Sequence, residues 1–340
     1  MNLIDGETFY TQHPSQASLA EQFSTFINSP PLPIGVVQDR PTRVAVLIFG
    51  NVDSTENRSL LRTFRQRMRE IGVEYRLDIY VVEDESRDIE PYFEIQDSQP
   101  DYLVMTKMGA LQRRFIEQLL PSSRTKVLMY GFASPIRYWM DAPPLIYIGF
   151  DQKQAAKTLA SFLGRNLSPE EVVSAFILPD GYLGRVRCDL FLDEMKRYGK
   201  AVQQVFVIKD DERQAFELAR TVLQEQKSGF IFSCSEKLSQ GVIKAMEKTA
   251  PKTKVQTNAW NLSSNTISDL KTERAAVNVL FMKDALSIAA AEAIKLDLEG
   301  KNMPSLYMAR FTVVTSDLDL GSLRLLIEDT YPYSVDLWQK

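Results

Sequence analysis

The chain has 340 residues, enough for about two domains with separate cores. Its 40 basic and 44 acidic side chains give a net charge of −4, which argues against a nucleic-acid partner. No apolar run reaches the roughly 18 residues of a membrane span, and the only histidine, His13, leaves little for histidine-based catalysis.

Prolines 14, 30, 31 and 33 punctuate the first forty residues, and Pro41 closes the segment. Ser15–Asn28 reads as a short amphipathic helix, and the rest as an extended arm laid over the body. From Arg43 the pattern becomes regular. "RVAVLIFG" is an apolar strand ending in glycine, and Thr55–Gly72 is a helix with Leu60, Leu61, Phe64, Met68 and Ile71 at helical spacing. The arginines of that stretch (62, 65, 67, 69) read as a solvated face. Strands follow at "VEYRLDIYVV", "DYLVMT", "TKVLMYGF" and "PLIYIGFD", with helices expected over 87–98 and Leu111–Leu120.

A second series begins at Gln152. Helices are expected over Gln152–Leu163, Leu183–Tyr198, Arg213–Gln226, Glu236–Lys248, 265–271 and Ala285–Leu298. Strands are expected at "EVVSAFILPDG", "VQQVFVIK", "SGFIFSCS", "KVQTNAW" and "AAVNVLFMKD", and a single final strand at "YMARFTVVT". Strands alternating with helices predict α/β architecture with parallel sheets covered on both faces. About ten strands, dividing near Asp151, predict two doubly wound lobes joined by three hinge crossings. The expected domains are an arm (1–40), an N-terminal lobe (41–149 and 284–314), a C-terminal lobe (150–283), and a C-terminal segment (315–340) packing on the lobes.

Ligands of open α/β sheets bind beyond the carboxyl ends of the strands. The strand-end loops here carry many polar groups with Trp139 and Trp260, a mixture suited to a small polar molecule. Each residue also has a plain structural reading. Ser54 or Thr55 can cap the following helix. Asn57 can be a surface residue, Trp260 core packing, Trp139 core or rim, and Arg187 a surface ion pair with Asp189 or Glu194. Carboxylate pairs at Asp210–Asp211 and Glu83–Asp84 fall at expected surface turns. Cys188 and Cys234 each flank a loop at a strand end; two partly buried free thiols are expected, with a bridge as the alternative.

Enzyme signatures are missing. The sequence has no G-x-G-x-x-G, no Walker motif and no G-x-S-x-G elbow, and "GYLG" lacks the third glycine of a dinucleotide fingerprint. A non-enzymatic protein needing no cofactor and no metal is expected.

The segments "SPIRYW", "YIGFDQKQAAKTLASFLG", "PDGYLGRVRCDLF", "FIFSCSEKLSQG", "TNAW" and "AEAIKLDLEGK" together resemble the LuxP-type periplasmic autoinducer receptors, within the ribose-binding-like group. The resemblance runs from about Arg43 to Thr315. It implies a two-lobed periplasmic protein that closes on a small furanose-derived signal, in one branch a borate diester, and addresses the periplasmic domain of a membrane sensor kinase. The family's ligand-binding positions correspond here to Val52, Ser54, Asn57, Ala110, Gly131, Arg187, Glu236, Lys237, Trp260 and Phe281. Ser54, Arg187 and Trp260 keep the family's residue. Val52 replaces a glutamine, Asn57 a tryptophan, Ala110 a threonine and Gly131 an asparagine. Glu236 and Lys237 replace threonine and aspartate, and Phe281 stands at or next to a second arginine. Losing one of two guanidinium groups weakens the case for a borate anion. A different small polar or sugar-like ligand is therefore expected.

The resemblance places the protein in the periplasm, with its export signal outside this sequence, since "MNLIDGETFY" lacks the basic-then-apolar form of a secretory leader. Two other functions share the scaffold: the solute-binding component of a sugar ABC importer, and the core of a cytoplasmic sugar-responsive regulator. Residues 1–40 carry no convincing helix-turn-helix, which counts against the last in intact form.

Overall fold

A computed structural model describes residues 2–83, 88–200, 202–225, 229–249 and 254–339. The Asp84 half of the Glu83–Asp84 pair, Arg87 and Gln226 at two expected helix ends, and Ser228 at an expected strand start lie outside the described residues. The chain divides into two compact units. One comprises Met1–Phe150, Met282–Arg310 and Tyr331–Leu337; the other comprises Asp151–Phe281, Phe311–Thr330 and Trp338–Lys340.

The first unit opens with two helices, α1 (Gly6–Gln12) and α2 (Pro14–Asn28). The expected extended arm is thus helical from Gly6, because Asp5 caps α1 by accepting from the Thr8 amide at 3.1 Å. Phe9, Phe23 and Ile27 are buried, so these helices belong to the core. The alternating run is β1 (Thr42–Phe49), α3 (Thr55–Glu70), β2 (Tyr75–Val82), α4 (Glu90–Ser98), β3 (Tyr102–Met105), α5 (Ala110–Ser122), β4 (Lys126–Tyr130) and β5 (Ile146–Phe150).

Within β1, Val44, Val46 and Ile48 face one apolar layer while Ala45 and Leu47 face the other. That is the period of two expected of a strand covered on both sides. Trp139 lies in the second layer, buried, with its indole N–H donating to Glu117 at 3.2 Å. It is a core residue. Arg67 is also buried, correcting the reading of a wholly solvated arginine stripe. Its guanidinium meets Glu292 at 2.7 Å and donates to the Phe26 carbonyl at 2.9 Å. A charge removed from water needs such a full set of partners.

The second unit runs α6 (Gln152–Asn166), β6 (Val173–Ile177), α7 (Leu190–Arg197), β7 (Val202–Val207), α8 (Glu212–Glu225), β8 (Phe230–Ser233), α9 (Glu236–Thr249), β9 (Gln256–Trp260), α10 (Thr266–Lys271) and β10 (Ala275–Phe281). Phe191 of α7 stacks on Phe232 of β8 with centroids 3.5 Å apart, fixing helix to sheet. The expected regular helix from Leu183 instead begins with a π-helical turn over Gly184–Asp189. Gly184 is required there, since a Cβ would lie 2.6 Å from the Pro179 carbonyl oxygen.

The chain then returns through α11 (Lys283–Leu298), which is apolar nearly all round and almost wholly buried in the first unit. The expected single last strand is two: β11 (Leu306–Ala309) and β12 (Phe311–Thr315). β11 pairs parallel with β5, whereas β12 pairs antiparallel with β10. Periodicity sees one apolar run because Arg310 alone separates the halves. α12 (Leu320–Thr330) and α13 (Val335–Trp338) close the chain. The two six-stranded sheets have the orders β11-β5-β4-β3-β1-β2 and β12-β10-β9-β8-β6-β7, parallel except for β12.

Candidate functional site

β6, β8, β9 and β10 are close neighbours in the second sheet, and the residues at their carboxyl ends meet. Arg187, in the π turn after β6, is buried. Its Cζ lies 4.1 Å from the Trp260 ring centroid and 5.6 Å from that of Phe281. The two rings are nearly parallel, at 7° and 6.1 Å. Trp260 is held by an indole N–H bond to the Ser233 carbonyl at 2.7 Å.

The partners of Arg187 are neutral. Nη2 and Nε donate to the Gln152 Oε1 at 2.5 and 3.2 Å, and Nη1 donates to the Cys234 carbonyl at 3.0 Å. Among the described residues it makes no ion pair. Three of its five N–H groups are committed, leaving two. Burial pushes its pKa down to about 10, opposed by the charges of Asp210, Glu236 and Tyr182. It remains a cation at neutral pH. The expected surface ion pair with Asp189 or Glu194 is therefore replaced by a buried, aromatic-stacked guanidinium.

Cys188 and Cys234 form a disulfide with Cα atoms 5.5 Å apart, correcting the expectation of free thiols. Both are fully buried. The bond ties the residue after Arg187 to the residue whose carbonyl Arg187 uses. Periodicity placed each cysteine beside a strand end but carried no signal that the two ends approach. Glu236 accepts from Asn261 Nδ2 at 2.5 Å, and Lys237 is exposed. Gln152 and Asn261 were not among the expected site residues. Gln152 touches Arg187 across 35 positions, and no local pattern reports such a contact.

The first-unit candidates lie at the ends of β1, β3 and β4, which are adjacent in their own sheet. Ser54 caps α3, accepting from the Asn57 amide at 3.3 Å. Asn57 closes the same loop by donating to the Phe49 and Asn51 carbonyls at 3.3 and 2.8 Å. Ala110 begins α5 and is exposed. Gly131 follows β4 with φ +88°, and its N–H donates to Ile148 at 2.7 Å. Each lies at a carboxyl strand end, and Ser54 and Asn57 already serve local structure.

Among the described residues no cluster of histidine, cysteine, aspartate and glutamate could hold a metal ion, and no helix is long and apolar enough to cross a membrane.

No family model matches the sequence. Solved structures match most of it. A periplasmic ribose ABC transporter protein from Conexibacter woesei aligns with a TM-score of 0.71 at 13% identity, covering 86% of this chain and 97% of its own. The substrate-binding protein of a sugar ABC transport system from Bordetella parapertussis gives 0.70 at 13%, covering 92% and 96%. A solute-binding protein from Agrobacterium vitis, bound with alpha-D-tagatopyranose, gives 0.66 at 14%, covering 83% and 98%. At these identities the likeness shows the fold. It is the type I, ribose-binding-like periplasmic binding protein fold, with two parallel-sheet lobes.

Proposed function

We propose that the protein is an extracytoplasmic binding protein for a small sugar-like solute, serving an ABC-type importer. The observation that carries this reading is the buried guanidinium of Arg187, stacked on Trp260 and held only by neutral acceptors. An unpaired buried cation is costly, and a ligand with several hydroxyl oxygens, or one negative group, would supply the remaining acceptors. The Trp260 and Phe281 rings supply the apolar area that sugar rings pack on. Matched proteins of this fold were solved with tagatose, D-allose and myo-inositol. A buried disulfide fits an oxidising compartment such as the periplasm.

Arg187, Glu236, Lys237, Trp260 and Phe281 are the proposed contacts on the second sheet. Ser54, Asn57, Ala110 and Gly131 are proposed contacts on the edge of the first. The autoinducer-receptor reading, with a sensor kinase as partner, rests on Ser54, Arg187 and Trp260 retaining the residues of that resemblance. The changed positions, Asn57, Ala110, Gly131, Glu236, Lys237 and Phe281, count against that receptor's ligand.

The test is calorimetric titration with ribose, allose, tagatose and myo-inositol, followed by native mass spectrometry of freshly purified protein for a retained solute. Arg187→Ala should weaken the best ligand by about 10-fold or more, the loss of a charge-assisted hydrogen bond. Unchanged affinity in a folded Arg187→Ala variant refutes the assignment. A requirement for borate would move the reading to the autoinducer receptors.

A further inference from the structure

The second unit carries a pocket of about 240 Å³, lined by α9, the loop after β9, α10 and β10. It shares Trp260 with the cluster around Arg187, and its other walls differ. Asn278, Asn261 and Asp269 line it, and each has a buried side-chain oxygen with no hydrogen-bond partner. Two of these side chains are themselves more than nine-tenths buried: Asn278 at 1% and Asp269 at 6% exposure.

The orientation of both amides is fixed by what their nitrogens do. Asn278 Nδ2 donates to the Asn261 carbonyl at 2.9 Å, and Asn261 Nδ2 donates to the Glu236 carboxylate. An acceptor on the nitrogen side rules out the flipped amide, so both present Oδ1 as the unsatisfied atom. Asn261 is held in the left-handed region at φ +62°, and its backbone N–H donates to Val279 at 2.9 Å. Its position is therefore set by the chain. Buried acceptors left without hydrogen-bond donors are rare in folded proteins, and three in one cavity, the Asp269 oxygen with only the Arg274 guanidinium 3.7 Å away, mark a place where donors arrive from outside.

Charge selects among the donors. The charged lining groups Glu247, Asp269 and Lys244, their ion-pair partners Arg274 and Glu212, and Glu236, which accepts from Asn261, contain carboxylates in excess of cations. The volume is below the usual range for drug-sized ligands, roughly 300–1,000 Å³. We infer that this pocket is a second binding site, for a small cation carrying N–H donors, such as ammonium or a short primary amine, held by Asn261, Asn278 and Asp269. The solute-binding reading neither requires nor assigns it.

Methylammonium chloride is the probe, titrated into the full chain at about pH 8, where Asp269 is ionised, and followed by NMR of the Asn261 and Asn278 side-chain amides. Potassium chloride at matched ionic strength is the control. The expected result is a saturable shift of both amide signals with methylammonium, absent with potassium. Asp269→Asn, which keeps shape and removes charge, should weaken that shift by about 10-fold or more. The amide spectrum of the variant reports its own folding. No saturable shift, which would mean water alone fills the pocket, overturns the proposal. So does an equal response to potassium, or a shift undiminished in folded Asp269→Asn. Sugar titrations at Arg187 read out a separate site, so failure of either assignment is distinguishable from failure of the other.

Discussion

Removing the Cys188–Cys234 disulfide should destabilise the second unit and leave the first alone. The bond closes a loop of 46 residues, all inside Asp151–Phe281. Chain-entropy reasoning for a loop of that length gives about 4 kcal/mol of stabilisation, through restriction of the unfolded chain. Both sulfurs are fully buried, so the double variant Cys188→Ala with Cys234→Ala loses little besides the link and some packing. For a unit of this size, such a loss should lower the melting midpoint by about 10 °C. Differential scanning calorimetry measures the midpoint, and hydrogen exchange locates the loss. Amides of β6, β8 and the π turn should exchange faster, while those of β1, β3 and β4 stay protected. Arg187 draws on the Cys234 carbonyl, so solute affinity should fall as well. A double variant melting within about 2 °C of the parent would refute the argument, as would exchange that rises in both units alike.

Ser54→Ala removes the cap of α3 and should cost about 0.5–2 kcal/mol in urea unfolding, whatever it does to solute affinity; no loss would mean that the 3.3 Å bond contributes nothing. Gly131→Ala should cost about 1–2 kcal/mol from backbone strain alone, because nothing lies within 4 Å of the added Cβ, and Gly131→Asn should cost less. Asp269 is pushed up to about 6, chiefly by burial and by the charge of Glu247, against Arg274. A carboxyl whose folded pKa lies above its unfolded value favours the folded state when protonated. Its contribution to stability therefore declines as pH rises from about 4 through 6. Asp269→Asn should flatten that decline in melting curves taken across this window, by up to about 3 kcal/mol; an unchanged slope would show that Asp269 is not its source.

Regular periodicity made the alternating elements legible, because a strand covered on both faces and a helix covered on one each leave a distinct apolar period. β1, α3, α9 and β10 follow from their residues alone. What stayed hidden is long-range. Arg67 looks like one more surface arginine until Glu292, 225 positions away, is placed beside it. Cys188 and Cys234 look like two thiols until strand order brings β8 next to β6. The run Tyr307–Thr315 looks like one strand because hydropathy carries no record of which sheet a residue joins. The site candidates were found as a set, since carboxyl strand ends can be enumerated from sequence. Their roles were not, because Ser54 as cap and Arg187 as buried cation differ only in what surrounds them.

The interleaved course of the chain has a consequence for its synthesis. The first unit buries α11, takes β11 as a sheet edge, and receives Tyr331–Leu337, where Ser334 and the Tyr333 amide bond to Asp284 at 2.5 and 2.8 Å. The second unit needs Phe311–Thr315 to cover one side of β10. Neither half can finish folding when its own first hundred residues have left the ribosome. Both stay open, with apolar faces waiting, until nearly the whole chain has been made. The last contacts of both units therefore wait for the same late stretch of chain, residues 306–337.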